Sequence, residues 1–150
     1  MDTIFALATA QGKAGVAIIR ISGPQAFIAA EILCHSVPPN QGPKLKTLVD
    51  ENGLVLDRAL VLSFSGPKSF TGEDTVEFHL HGSTAVISIV LKTLGSGVAR
   101  LAEPGEFTRR ALDNNKLDLA QVEGLADLIE AETEVQRRQA LRGMVGDLGK

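Results

Sequence analysis

The fold is organised around residues 69–82, SFTGEDTVEFHLHG, which divide into a loop and a strand. Pro67 and Gly72 punctuate the first half, and its Thr, Glu and Asp side chains favour contact with water, so residues 69–74 are predicted to form a loop. Residues 75–81 then alternate between polar and apolar side chains without a break. Because successive side chains of a strand point to opposite faces, this segment is predicted to be a half-buried β-strand.

The polar face of this strand carries groups that could bind a ligand: Thr75, Glu77, His79 and His81. Side chains two residues apart on a strand are separated by about 7 Å, so the carboxylate and the two imidazoles form a row. Three interpretations are open. The face is an ordinary solvated surface, or it is the floor of a ligand site with Glu77 aimed into a pocket, or Glu77, His79 and His81 bind a metal ion.

The composition is that of a globular domain with one hydrophobic core. The chain has 150 residues, of which 44% are hydrophobic and 22% charged, and this length is sufficient for a core. A net charge of −3 gives no global field that attracts nucleic acid. The single cysteine, Cys34, excludes an internal disulfide. There is no apolar run long enough to cross a bilayer and no leader pattern, so we expect no membrane span and a cytoplasmic location.

Hydrophobic periodicity predicts strands and helices in mixed order along the first three quarters of the chain. Strands are expected over residues 2–9, 16–21, 59–64 and 98–102, and helices over residues 22–33, 84–94 and 104–112. Residues 38–46 are expected to form a loop, and Asn52-Gly53 a hairpin turn. Because helices do not bridge every strand pair, the fold class is α+β, a mixed β-sheet with flanking helices.

Three charged residues stand out because their positions suit a binding site. Arg20 interrupts a strand that is otherwise apolar on both faces, so its guanidinium either reaches water or pairs with an anion. Glu77 lies on the polar face described above, and Lys116 follows the helix-breaking Asn114-Asn115. Two cations and one anion could converge on a ligand that has a donor-rich ring and an acidic tail, although sequence spacing does not establish that they meet.

The pattern becomes purely helical from Leu117 onwards. Asp118-x-x-Gln121 is typical of a capping box, and an apolar stripe follows it to the end of the sequence. We expect this helix to continue into further domains or to dock on another subunit. Residues 143–150, GMVGDLGK, lack the spacing of a phosphate-binding loop, so we expect no GTP or ATP binding by that device.

Several short segments, spread in order over the chain, together resemble the N-terminal domain of the tRNA modification GTPase family MnmE, also called TrmE. They are DTI at 2–4, IRISGP at 19–24, SFTGED at 69–74, HG at 81–82, AEPGEFT at 102–108 and NKLDL at 115–119. The chain departs from the family pattern in the loop before residue 16 and at Ser83, where the family has a second glycine after His-Gly. His79 is not among the residues that the family pattern leads us to expect.

The resemblance implies a folate-binding and dimerisation domain over residues 1–116, similar to the folate-binding domain of the glycine-cleavage T-protein. Residues 117–150 would begin a helical domain, and the GTPase domain would lie outside this chain. The family's folate contacts fall on Arg20, Glu77 and Lys116, and the implied cofactor is 5-formyl- or methylene-tetrahydrofolate. The parent protein would also bind GTP, potassium and magnesium.

The implied partners are a second copy of this domain, the flavoprotein MnmG, and tRNA, whose wobble uridine would receive an aminomethyl-type group. Two alternatives stay open. The chain could be a dimerisation scaffold without a working folate pocket, or a metal-dependent hydrolase built on Glu77, His79 and His81.

Overall fold

The structure, a computed structural model, describes residues 2–9, 15–81, 83–117, 124, 127 and 129–137. The described elements are, in chain order, β1 (Ile4–Thr9), β2 (Ala17–Ser22), α1 (Ala26–Ala30), β3 (Lys44–Val49), β4 (Val55–Phe64), β5 (Thr75–Leu80), α2 (Thr84–Gly95), β6 (Arg100–Leu101) and α3 (Glu106–Asp113). Residues 129–137 are also helical and are called the C-terminal segment below. The predicted capping box and residues 138–150 lie outside the described residues.

The strands form one six-stranded sheet in the order β3-β4-β5-β2-β1-β6. Neighbouring strands are antiparallel except for β1 and β6, which are parallel. The sheet is therefore mixed, and with its flanking helices it confirms the α+β class expected from the sequence. In this order β5 and β2, which carry the predicted site residues, lie side by side at the centre of the sheet.

One face of the sheet is covered by α1 and α2 and holds the main core. The alternation of β5 places Val76, Phe78 and Leu80 in this core, and all three are completely buried. Helix α2 begins where the sequence predicts, because the Ser83 hydroxyl accepts a hydrogen bond from the Val86 N–H at 3.3 Å. Burying this face orients the polar face of β5 to the opposite side.

The opposite face is only partly covered, by α3. Phe107 of this helix packs with Ile4, Ala6 and Ala102 in a small second cluster. The rest of the face, over β2, β5 and β4, has half-buried side chains, including Ile18, Leu60 and Leu62. A surface that is partly apolar and partly polar is thus left beside α3.

Several predicted boundaries are wrong. Helix α1 ends at Ala30 and continues as turns, not as helix, to residue 33. Residues 44–46 belong to β3 although their lysines and the preceding proline suggested a loop. This strand lies at the edge of the sheet, where lysines are common because they discourage pairing with other chains. Strand β4 is longer than predicted because it pairs along its length with β3, and β6 is shorter.

Within the described residues, no helix combines the length and the apolar character that crossing a membrane requires.

Candidate functional site

Three polar side chains of the central strands are joined by hydrogen bonds. Arg20 on β2 is the direct partner of Glu77 on β5 in the antiparallel register. Its Nε donates to Glu77 Oε2 at 3.0 Å, and His79 Nε2 lies 3.2 Å from Glu77 Oε1. The side chains of Arg20 and Glu77 are only 19% and 16% exposed, so screening by water is weak and the charge-assisted pair is held firmly.

Two phenylalanines flank the Arg20 guanidinium. Its Cζ atom lies 4.9 Å from the ring centroid of Phe70 and 5.5 Å from that of Phe107. Both distances are within the range of cation–π attraction, which stabilises a cation that has little contact with water. Phe107 is buried in the second cluster, whereas Phe70 is 43% exposed at the loop before β5. Phe70 is therefore partly open to solvent beside the charged pair.

The loop that carries Phe70 is fixed by polar contacts on both sides. Ser22 Oγ lies 2.6 Å from Thr71 Oγ1 and donates to Glu73 Oε1 at 2.8 Å. The Asn114 side-chain amide donates to the Thr71 carbonyl oxygen at 2.8 Å. These contacts attach the loop to β2 and to the end of α3, so Phe70 is presented by a rigid support.

A charge network lies behind the loop, with the buried Arg110 of α3 at its centre and the more exposed Asp2 and Arg100 at its edge. The Arg110 guanidinium donates to both Glu73 oxygens at 3.0 and 3.1 Å, to Asp2 Oδ1 at 2.8 Å and to Glu106 Oε2 at 3.1 Å. Arg100 binds both oxygens of Glu106, at 3.0 and 2.7 Å. The network connects the amino end of the chain, the loop, β6 and α3.

The network lowers the pKa of its carboxyl groups. The Arg100 hydrogen bond, with Arg110 in support, lowers the pKa of Asp2 to about 2 despite some desolvation. Desolvation alone would raise the pKa of Glu106, but hydrogen bonds from Arg100, the Glu103 N–H and Arg110 bring it below its ordinary value. These carboxylates are therefore ionised at neutral pH and act as structural anions behind the loop.

Lys116 is positioned by the end of α3. Asn115 has the left-handed φ of +56°, and its N–H binds the Leu112 carbonyl at 3.0 Å while the Lys116 N–H binds the Ala111 carbonyl at 2.8 Å. This pair of bonds is the Schellman motif that ends helices, and it explains the helix break predicted at Asn114-Asn115. The Lys116 stem lies against Gly72, where an added Cβ would come within 3.2 Å of Lys116 Cγ.

The structure thus brings two of the three predicted site residues into direct contact. Arg20 and Glu77 form an ion pair, and Lys116 lies beside Gly72, two residues along the loop from Phe70. Among the described residues, Lys116 makes no ion pair or hydrogen bond with Arg20 or Glu77. Its side chain is exposed and contacts the loop that also carries Phe70.

The metal-site alternative finds no support in the part of the chain that the structure describes. No three His, Cys, Asp or Glu side chains there are arranged to hold a metal ion. His81 lies beyond the end of β5 and is exposed, and its backbone N–H donates to Asp57 Oδ2 at 3.3 Å. Glu77 and His79 are instead bonded to each other.

Sequence reasoning missed three contributors to this site. Phe70 and Phe107 both lie in segments that were singled out, but nothing in their spacing indicated that they share a cation. Glu132, on the C-terminal segment, accepts a hydrogen bond from the Phe107 N–H at 3.1 Å. No local pattern distinguishes this glutamate from the other charged residues of the same helix.

Comparison with known proteins agrees with the family expected from the short segments. A family model described as the GTP-binding protein TrmE N-terminus matches residues 3–116. A relative from Roseobacter denitrificans, named tRNA modification GTPase MnmE, is 61% identical over 151 residues, which is 100% of this chain and 35% of the relative. A relative of the same name from Ruegeria sp. (strain TM1040) is 64% identical over 152 residues, which is 99% of this chain and 36% of the relative.

A relative from Danio rerio, named the mitochondrial 5-taurinomethyluridine-tRNA synthase subunit GTPB3, is 57% identical over 99% of this chain and 30% of its own length. The chain therefore spans about a third of the length of the curated relatives it matches. Given the family match over residues 3–116 and identities above one half along the whole chain, the protein belongs to the family of TrmE N-terminal domains.

Proposed function

We propose that this chain is the folate-binding and dimerisation module of a tRNA-modifying GTPase. The observation that carries the proposal is the pairing of Arg20 with Glu77 at the centre of the sheet, beside a solvent-facing aromatic ring. A carboxylate held in this way suits a heterocycle that presents two adjacent N–H donors, which is the edge of a pterin ring. The proposal includes a fold similar to that of the folate-binding domain of the glycine-cleavage T-protein.

The free hydrogen-bond acceptor sites of Glu77 fit a reduced folate. An ionised carboxylate has about four lone-pair sites, and Glu77 uses one site on each oxygen, for Arg20 and His79. The ligand could therefore add two N–H···O bonds without displacing either protein partner. The half-buried Ile18, Leu60 and Leu62 and the exposed ring of Phe70 offer apolar surface for the flat ring system.

Arg20 and Lys116 supply the positive charge that a folate tail requires. The terminal nitrogens of Arg20 have no hydrogen-bond partner among the described residues, since only its Nε is engaged by Glu77. Lys116 is exposed, and its stem contacts Gly72 of the loop that carries Phe70. We assign both to carbonyl or carboxylate oxygens of the ligand, whose formyl or methylene carbon is the one-carbon unit that it would supply when bound.

The direct test is calorimetric titration of 5-formyltetrahydrofolate into the chain and into the variant Glu77→Gln. We expect binding to the unchanged chain and an affinity loss of about 10- to 100-fold in the variant, since charge-assisted hydrogen bonds are lost. Glu51→Gln removes the same charge at an exposed turn and serves as the matched control. Equal affinities for the two variants, both folded by circular dichroism, would remove Glu77 from the site.

That the parent protein is a tRNA modification GTPase is proposed from the names of the relatives, and the finer roles that follow are proposed from the family resemblance alone. Residues 1–116 form the folate domain and residues 117–150 begin a helical domain, with a GTPase domain elsewhere in the parent. That GTPase requires potassium and magnesium and, with the flavoprotein MnmG, modifies the wobble uridine of tRNA in the cytoplasm. Pull-down of MnmG by the parent protein and loss of modified wobble uridine on deleting the parent gene test this assignment.

A dimerisation scaffold without a working pocket remains the second candidate because apolar side chains are exposed near the β3–β4 hairpin. The exposed fractions of Leu45, Leu54 and Val55 are 49%, 66% and 61%. Light scattering tests self-association, and a thermal-shift assay with reduced folates tests the pocket, because a ligand that binds the native state raises its stability. A dimer that shows no ligand-induced shift would favour the scaffold.

A further inference from the structure

Two donors hold the Glu77 carboxylate from different directions. Arg20 reaches Oε2 from the neighbouring strand β2, as the direct cross-strand partner of Glu77. His79 reaches Oε1 from the same strand, two residues further along β5, with 3.2 Å between its Nε2 and the oxygen. Because each oxygen has its own donor, the plane of the carboxylate cannot turn without breaking one of the two bonds. The orientation of Glu77 is therefore set before any ligand arrives.

The packing of His79 directs its ring towards Glu77. Its cross-strand partners are Ile18 on β2 and Leu60 on β4, and both are half-buried apolar side chains. Neither can accept a hydrogen bond through its side chain, so the polar partner of the ring lies along the strand, at Glu77. The imidazole side chain is only 25% exposed, and water therefore competes only in part for this bond.

The imidazole must be the donor in this bond. A carboxylate that already accepts the Arg20 Nε–H has lone pairs but no proton to give, so His79 Nε2 carries the hydrogen. In the neutral ring this fixes one tautomer, with the hydrogen on Nε2 and none on Nδ1. His79 thus has a defined chemical state that follows from its place beside Glu77.

We propose that His79 is a positioning residue of the Arg20–Glu77 site, which orients the Glu77 carboxylate so that its remaining lone pairs meet two adjacent N–H donors of the bound molecule. This inference rests on the proposed function, and it concerns a side chain that the family pattern does not include. Without His79 the carboxylate would be held only at Oε2, and ligand binding would have to stop its rotation. Ordering one flexible side chain on binding weakens affinity by about 3- to 10-fold.

The experiment compares His79→Leu with His79→Gln in calorimetric titrations with 5-formyltetrahydrofolate, with His35→Leu as the matched control. Leucine suits the apolar neighbours but has no donor, whereas the glutamine amide can still donate an N–H to Glu77. We expect His79→Leu to weaken binding about 3- to 10-fold and His79→Gln to stay within about twofold of the unchanged chain. His35 is exposed after α1, and its replacement should leave the affinity unchanged.

Rescue by glutamine separates orientation of the carboxylate from a merely structural role of the ring. Equal losses in His79→Leu and His79→Gln, or no loss in His79→Leu, would overturn the inference. If His79→Leu does not fold, His79→Asn takes its place, because it carries the same amide as glutamine but one methylene further from Glu77.

Nitrogen NMR of the imidazole supplies a readout that does not depend on a ligand. Long-range proton–nitrogen correlations at about pH 8 distinguish the two tautomers of a neutral imidazole ring. We expect a hydrogen on Nε2 and none on Nδ1 of His79 in the unchanged chain, and the same tautomer when the ligand is bound. The opposite tautomer would contradict the inference, since Nε2 could then not donate to Glu77.

The two proposals fail in different ways. If the unchanged chain binds no reduced folate, the proposed function falls and this inference falls with it. If the unchanged chain binds, Glu77→Gln weakens binding, and His79→Leu matches His35→Leu, then the function stands and the role of His79 is refuted.

Discussion

Replacing Arg110 by methionine should destabilise the domain more than any exposed charge change. The Arg110 side chain is only 5% exposed and bridges Asp2, Glu73 and Glu106. The network has three carboxylates and, with Arg100, two guanidiniums, so its charge changes from −1 to −2 in the variant. Methionine keeps much of the apolar stem, and the loss is therefore chiefly electrostatic.

The size of the loss in unfolding free energy depends on which carboxylate is left without a cation. Glu106 keeps both hydrogen bonds from Arg100, whereas Glu73 keeps only the hydroxyl of Ser22 and is 12% exposed. Breaking a buried ion pair by removing one partner costs about 3–5 kcal/mol. Because only Glu73 is stranded, we expect a loss near the lower end, about 3 kcal/mol, and a melting temperature lower by about 6–12 °C.

Urea unfolding followed by circular dichroism measures this loss, with Arg109→Met as the matched control. Arg109 is adjacent on α3 but exposed, and its replacement should change the unfolding free energy by less than about 0.5 kcal/mol. Adding Glu73→Gln to Arg110→Met should restore part of the loss, since the stranded charge is removed. Equal effects of Arg110→Met and Arg109→Met, or no rescue by Glu73→Gln, would refute the reasoning.

Three further predictions follow from local features. The pKa of Asp2 is lowered by Arg100 from 3.8 to about 2, and that of Glu106 also lies below its ordinary value. These carboxylates therefore stabilise the fold above the unfolded pKa values, and this stability should fall from about pH 5 towards pH 2 in urea titrations. Burial raises the pKa of the Cys34 thiol, so it should react with a thiol reagent only after unfolding, as absorbance will show. Gly53 has φ +82° and open space around it, so Gly53→Ala should lower the unfolding free energy by about 1 kcal/mol in urea.

Elements whose signals are local could be predicted from the sequence. The alternation of residues 75–81, the Ser83 cap and the break at Asn115 each depend on a few neighbouring residues, and the structure confirms all three. Strand β3 was missed at its first residues because an edge strand is defined by its partner. Lys44 pairs with Val61, a contact that the local composition of prolines, glycines and lysines does not reveal.

The candidate site shows the same division between local and distant contacts. The central strand and the alternating polar face singled out Arg20 and Glu77, but their contact depends on the register of β2 against β5, 57 residues apart. The family pattern does not include His79, but the alternation placed it on the polar face with Glu77, and the structure pairs the two side chains. Glu132 could not be found from the sequence, because its contact with Phe107 is set by how a later helix docks.

The pairing of Arg20 with Glu77 indicates how a ligand would have to bind. If the ligand replaced the arginine on the carboxylate, a guanidinium in a central strand would be left without its anion, which is costly in a half-buried position. The cation is also held between Phe70 and Phe107, so it cannot easily swing away. Addition to the free lone pairs of Glu77 avoids both costs, and the site is then preorganised, with its charges already oriented before binding. A ligand that needs the Glu77 carboxylate alone, such as a simple amine, should therefore bind weakly, whereas a planar ring that meets Glu77 with two donors and Phe70 with its face satisfies the whole arrangement.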